Sequence, residues 1–293
     1  MSMKRKDILL ALLVVTAWGV NFIAIKVGLL VLPPLLLGAL RFLLAVVPII
    51  FFLPRPPVAW KWLLTLGLCI NVGQFAFLFY GMKVGMPAGL ASLVLQSQAF
   101  FTLFFAIAWF HESWCWNHIA GLLIAVGGMS VIGMNQDGNM TMAGFVFTLA
   151  AAVSWGLGNV VMRRTTLNLP PFSMLSLAVW ASAVAIVPLF ILSYCVEGIA
   201  SWRTAYQNFD GVTLCAVLYL SYIATLGGYG LWGRLMSRYP ATVVAPWALL
   251  VPIVGMSSAS FFLGETFSLW QGLGSLGVMA GLLVHVFGQR WKL

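Results

Sequence analysis

From Pro87 to Phe110 the chain carries no Asp, Glu, Lys, Arg or His. A helix needs about 20 predominantly apolar residues to cross the hydrocarbon core of a bilayer, and this run is long enough. It is one of ten comparable runs, lying at approximately 8–28, 34–53, 60–81, 87–110, 116–134, 141–162, 171–195, 211–233, 240–263 and 269–288. Only 7% of the residues are charged and 62% are hydrophobic, whereas a soluble domain carries roughly 25% charged residues. So few charges leave too little polar surface to face water, so the solvent is lipid. Backbone groups in lipid must be satisfied within the segment, which selects helices over open strands. The expectation is an all-α integral membrane protein with ten transmembrane helices.

The net charge of +9 on its own would suit a nucleic-acid partner, but its distribution points elsewhere. Lys4, Arg5, Lys6, Arg55, Lys61, Arg163, Arg164, Arg234, Arg238, Arg290 and Lys292 all fall on one side of a ten-span arrangement, with only Lys83 and Arg203 in loops on the other. By the positive-inside rule both termini are cytoplasmic, and the basic balance records topology, with no nucleic acid implied. The opening MSMKRKDILLALLVVTAWGVNF reads as an uncleaved first helix rather than a signal peptide, because its apolar stretch is long and no small-x-small site follows. Cys69, Cys115, Cys195 and Cys215 show neither metal-ligand spacing nor a disulfide pattern. No cofactor or metal is expected.

The chain repeats itself. Trp18-Gly19-Val20-Asn21 returns as Trp155-Gly156-Leu157-Gly158-Asn159, and LPPL at 32–35 as LPPF at 169–172, both at an offset of 137. Pro87-Ala88 matches Pro240-Ala241 and Glu112-Ser113 matches Glu265-Thr266, both at an offset of 153. A long loop at 196–210 and its neighbours is expected to absorb the difference. Each repeat then holds five helices, at 8–134 and 141–288, and an odd number forces the second copy to enter the membrane inverted. Inverted repeats are the mark of secondary transporters, whose substrate site lies near the midplane between the halves.

The runs WGVNFIAIKVGL, LRF at 40–42, MPAGLASLVLQSQAFF, YGLWGRLMSRY and VAPWALLVPIVG resemble the EamA branch of the drug/metabolite transporter superfamily over essentially the whole chain. One departure is His111-Glu112, where the family ends its fourth helix in Gly-Glu; the second half keeps Gly264-Glu265. The resemblance implies ten helices around a central cavity. It also implies export of small polar metabolites, amino acids or derivatives such as cysteine and O-acetylserine, or more broadly of drugs or aromatic amino acids. Monomer and homodimer stay open.

Residues three, four or seven apart share a helix face. That pairs Trp18 with Asn21, Asn71 with Gln74, Ser92 with Gln96 and Trp155 with Asn159, and lines up Tyr219, Tyr222, Leu226 and Tyr229. Interhelical hydrogen bonding accounts for any one amide in a membrane helix. The set lies on helices 1, 3, 4, 6 and 8, which the resemblance places around the cavity. Trp18, Asn21, Asn71, Gln74, Ser92, Gln96, Trp155, Asn159, Tyr222 and Tyr229 are therefore the candidate substrate-binding residues. Gln98 points about 200° away from Gln96 and is assigned to interhelical bonding. Pro246 and Pro252 each remove a backbone donor and kink a helix, so they and Trp247 between them form a candidate gating segment.

The remaining charges suggest structure. Lys26 and Arg41, toward the outer ends of helices 1 and 2, could attract a substrate carboxylate, but they are expected to snorkel to the outer interface, with Arg41 structural within its LRF. Glu112 and Glu265 end spans at equivalent points and are expected to cap the free N–H groups of helices 5 and 10. Gly121-x3-Ala125, Gly127-Gly128 and Gly277-x3-Gly281 let backbones approach closely. A membrane-embedded enzyme needs positioned acid–base or nucleophilic groups, but no span interior holds an Asp or Glu. Lone His285 reads as packed or interfacial.

Overall fold

The computed structural model describes residues 3–110, 115–135, 140–167 and 169–288. Among them the chain is helical without strands, and ten helices are long and apolar enough to cross a membrane. These spans are Arg5–Val31, Pro34–Phe51, Trp60–Lys83, Ala88–Phe110, Trp116–Met134, Met142–Thr166, Met174–Gln207, Gly211–Arg238, Ala245–Leu263 and Leu269–Phe287, numbered one to ten below. Ten such spans are the pattern of a multi-pass membrane protein.

The largest departure from expectation is in span 7. The segment expected as a loop at 196–210 instead continues as a π-helical turn, Ser193–Glu197, and a helix, Gly198–Gln207. Gly198, at φ +76° and ψ 159°, lies in a backbone region essentially restricted to glycine, and its non-helical dihedrals make the corner between the two. Glu197, at this corner, accepts from the backbone N–H of Leu35 (2.7 Å) and Leu36 (3.3 Å), which begin span 2. At the far end of the same pair, Ser176 donates to the Pro54 carbonyl and Trp180 Nε1 to the Leu53 carbonyl at 3.3 Å. Spans 2 and 7, equivalent in the repeat, therefore run antiparallel.

Spans 5 and 10 do the same through glycine. A methyl group on Gly121 would lie 2.6 Å from the Gly281 carbonyl oxygen, and one on Gly128 would lie 2.6 Å from that of Gly274. The two helices meet backbone to backbone within one chain, which small residues make possible where lipid offers no hydrophobic drive.

Backbone irregularities also follow the repeat. Span 3 holds π-helical turns at Gly67–Gly73 and span 8 at Tyr219–Gly227; an offset of 153 carries 67–73 onto 220–226. Span 4 has a 3₁₀ segment at Leu95–Ser97, and span 9 opens with one at Ala245–Leu250; the same offset carries 95–97 onto 248–250. Non-α backbone at membrane depth is tolerated where it is buried in protein or lines a cavity.

The carboxylate caps differ from expectation. Glu265 accepts from Ala88 N (2.7 Å) and Gly89 N (2.9 Å), so it caps span 4 rather than span 10. Pro87 at the N-cap offers no side-chain acceptor, while span 10 is already capped by Ser268 and Gln271, which satisfy each other's backbone N–H. Gly264, at φ +65°, turns the chain so that Glu265 reaches across. Glu112 and His111 lie outside the described residues.

Candidate functional site: a central cavity

A cavity of about 1100 Å³ lies between the halves. Its rim is formed by exposed Ser173, Met174, Arg234 and Ser237, at the end of the bundle that carries the N-terminus. Its floor is formed by Arg41, Gln74, Leu78 and Ser92, all buried. Beyond the floor the spans close on one another: Leu29, Leu32, Leu35, Leu37, Phe79, Met82, Met86 and Ala88 are each 4% exposed or less and belong to one apolar cluster. Lys83 Nζ ties that end together by donating to the Leu29 carbonyl at 2.8 Å. The cavity thus opens at one end only.

Trp18, Asn21, Asn71, Gln74, Ser92, Gln96, Trp155, Asn159 and Tyr229 all line it. Trp18 donates from Nε1 to the Ala224 carbonyl at 3.0 Å and packs against Tyr229 and Trp232, ring centroids 5.8 and 5.2 Å away. The carbonyl it uses belongs to the π-helical stretch of span 8, where the backbone departs from the α ladder. Several of the amides serve both as lining and as interhelical bonds. Asn71 donates to Ser182 Oγ at 2.9 Å, Gln96 Nε2 to the Ala248 carbonyl at 3.2 Å, and Asn159 Nδ2 to Gln98 Oε1 at 2.8 Å. Ser92 Oγ donates to its own helix, at Gly89 O, 2.6 Å.

Tyr222 is not brought to the cavity. It is 38% exposed on the outside of the bundle, because a π-helical turn holds more residues than an α turn and rotates it off the face of Tyr229. Tyr219 also leaves that face, donating to the Ala17 carbonyl at 2.8 Å. Gln98 moves the other way: the 3₁₀ segment before it brings it onto the cavity wall, where it also bonds Asn159. Of the gating candidates, Pro246 is the second residue of the 3₁₀ segment of span 9 and buried Pro252 the second residue of the α-helix after it. Trp247 is half-buried between the main core and a cluster of Ala11, Leu235, Tyr239 and Val244, off the cavity wall.

Arg41 does not snorkel. It is 3% exposed, about 10 Å of helix from the start of span 2 at 1.5 Å per residue, and lines the cavity floor. Its Nε donates to Thr225 Oγ1 at 3.0 Å, and its guanidinium carbon lies 4.3 Å from the centre of the Phe75 ring. Sequence reasoning weighed Arg41 by its distance from a helix end; the signal that finds the site is the rule that intramembrane cations face the bundle interior or a wet cavity. His285, by contrast, packs on His118 and Phe100, with centroids 4.9 and 5.1 Å apart, away from the cavity wall. Asp7, missed in sequence, accepts from Tyr239 Oη at 2.8 Å and pairs with Arg238 at 3.2 Å beside the rim.

The family model of EamA-like transporters matches residues 5–134 and again 142–287. A probable amino-acid metabolite efflux pump of Salmonella typhimurium strain LT2 is 47% identical over 291 residues, covering 98% of this chain and 97% of its own length. A protein of the same description from Escherichia coli strain K12 is 44% identical over 293 residues, covering 99% and 98%. One solved structure, described only as a crystal structure of a protein, covers 99% of both chains with a TM-score of 0.61 at 16% identity, a likeness of fold alone. Two family matches in tandem, one to each group of five spans, show that this chain belongs to the EamA-like transporter family.

Proposed function

We propose that this protein exports small polar amino-acid metabolites, cysteine and O-acetylserine among them, across the inner membrane by alternating access. The observation that carries the reading is the single-ended cavity between the halves, walled by amides and indoles and sealed beyond its floor. A solute in such a pocket meets polar groups on several spans at once, as expected of a midplane site between repeats. The relatives described as amino-acid metabolite efflux pumps support the substrate class.

The repeats at 8–134 and 141–288 are the moving units, and their inversion is supported by the antiparallel courses of spans 2 and 7 and of spans 5 and 10. With both termini cytoplasmic, as the basic loops indicate, the cavity faces inward and the structure is the loading state of an exporter. The segment around Pro246, Trp247 and Pro252 is the flexible part of the inner gate, since it carries non-α backbone beside the cavity. The test is counterflow in proteoliposomes with a panel of labelled amino acids and derivatives. Trans-stimulated uptake of at least one supports the reading, and none across the panel refutes it.

A further inference from the structure

Three atoms of the cavity residues stand out chemically. Arg41 Nη1, Asn21 Oδ1 and Gln74 Oε1 are buried polar atoms with no hydrogen-bond partner, and all three residues line the cavity. The side chains are at most 7% exposed. A buried polar group left unpaired is destabilising, and more so when it is charged, so three such atoms on residues of one cavity mark the place where a ligand's polar groups would be best compensated.

Arg41 is the charged member of the three. Its guanidinium carbon lies 4.3 Å from the centre of the Phe75 ring, and Thr225 Oγ1 accepts from Nε. Neither contact gives Nη1 a hydrogen-bond acceptor. No ion pair to Arg41 occurs among the described residues, and no Asp or Glu is among the residues lining the cavity. A guanidinium fork matches a carboxylate in two parallel bonds, and the missing counter-charge is a carboxylate.

We infer that Arg41 receives the α-carboxylate of a zwitterionic solute, while the carbonyl oxygens of Asn21 and Gln74 accept from its α-ammonium. This rests on the exporter reading above and narrows it: the ligand carries both a free carboxylate and a free amine. Donor and acceptors then match the two ends of an amino acid in sign. A purely cationic solute meets Arg41 and no carboxylate, and a purely anionic one leaves the two amide oxygens unpaired. The side chain of the solute falls to the aromatic wall of Trp18 and Tyr229, which imposes little polar selectivity.

The test uses the purified full chain in proteoliposomes loaded with unlabelled L-cysteine under reducing conditions. Uptake of labelled L-cysteine is measured against three competitors: L-cysteine, L-cysteinamide and N-acetyl-L-cysteine. The wild type should prefer the free amino acid over each blocked compound by on the order of 10- to 100-fold, the range for a hydrogen bond to a charged group. Arg41→Gln should lower uptake and bring the preference over the amide close to one, while Arg41→Lys keeps part of it. Asn21→Leu should reduce the preference over the N-acetyl compound several-fold, Gln74 remaining as an acceptor, and leave that over the amide. Equal competition by the amide in the wild type, or an undiminished preference in Arg41→Gln, overturns the inference and leaves the exporter reading intact. No counterflow of any amino acid removes both. Should Arg41→Gln fail to fold, the wild-type competition decides alone.

Discussion

Gly19 of span 1 and Gly255 of span 9 pack so closely that a methyl group on Gly19 would lie 3.1 Å from the Gly255 nitrogen and 2.5 Å from Val254 Cγ1. The second half repeats the relation. A methyl on Gly156 of span 6 would lie 2.7 Å from Phe101 Cβ and 2.9 Å from the Thr102 nitrogen of span 4. Gly19 and Gly156 differ by 137, and Val254-Gly255 and Phe101-Thr102 by 153. These are the two offsets of the sequence repeat. Each Trp-Gly pair therefore sets its backbone against the other half while its indole faces the cavity, which ties the shape of the site to the packing between repeats.

Substitution at these contacts should be costly, and equally so in both halves. Gly19→Ala and Gly156→Ala each force backbone to shift in a packed interior, where overpacking costs about 1–3 kcal/mol. Gly127→Ala, where a methyl meets nothing within 4 Å, is the control and should leave the melting temperature unchanged or slightly raised. Thermal unfolding in detergent measures all three. A stable Gly156→Ala beside an unstable Gly19→Ala would break the equivalence.

The amides divide into two groups by the sign of their effect on stability. Asn71 is committed to buried Ser182, so Asn71→Leu strands that hydroxyl and should lower the melting temperature, whereas Gln98→Leu leaves Asn159 its bond to Thr102 Oγ1 and should lower it less. Asn21 Oδ1 and Gln74 Oε1 have no partner to strand. Asn21→Leu should hold or raise stability while transport falls by tenfold or more. Parallel loss of folded protein and transport in Asn21→Leu would make it a structural residue.

Much of this was legible because membrane solvation forces simple patterns. Runs of apolar residues marked the spans, the α period put Trp18 with Asn21 and Ser92 with Gln96 on shared faces, and the resemblance turned those faces to the cavity they line. The period failed where the backbone leaves the α-helix. The π turns of span 8 send Tyr222 outward, and the 3₁₀ turn of span 4 brings Gln98 in. Arg41 was misread for a different reason. Thr225 and Phe75, which hold it in the interior, come from spans 8 and 3 and meet it only after folding. The reach of Glu265 to span 4 and of Glu197 to span 2 is equally non-local.

Topology follows from charge and can be read directly. In a cysteine-free background, a single cysteine at residue 203 should react with an impermeant maleimide added to intact cells. One at residue 163 should react only after permeabilisation. Residue 203 lies on the helix after the span 7 corner, and residue 163 on the last turn of span 6, at the opposite end of the bundle. Labelling at 163 in intact cells would invert the orientation, and the cavity would then face outward.

Energy coupling is constrained by what the cavity holds. Its ionisable lining groups are Arg41, Tyr229 and Arg234, and an arginine keeps its proton under all physiological conditions. A proton relay needs a site that binds the proton on one side of the membrane and releases it on the other, usually a carboxylate or histidine. Neither type lines the cavity among the described residues. Asp7 is engaged by Tyr239 and Arg238 beside the rim, and Glu265 and Glu197 are spent on backbone N–H groups at the sealed end. Alternating access without a coupled ion moves solute down its own gradient in either direction. Uptake of a transported amino acid into proteoliposomes should therefore reach the external concentration and stop there, at the same level with or without an imposed pH gradient. Glu265→Gln, which keeps an acceptor at the cap of span 4, should leave counterflow within about twofold of wild type if the loss is one weakened cap, worth a few tenths of a kcal/mol. Accumulation above the external concentration only under a pH gradient would mean that a proton is carried by a group other than those lining this cavity.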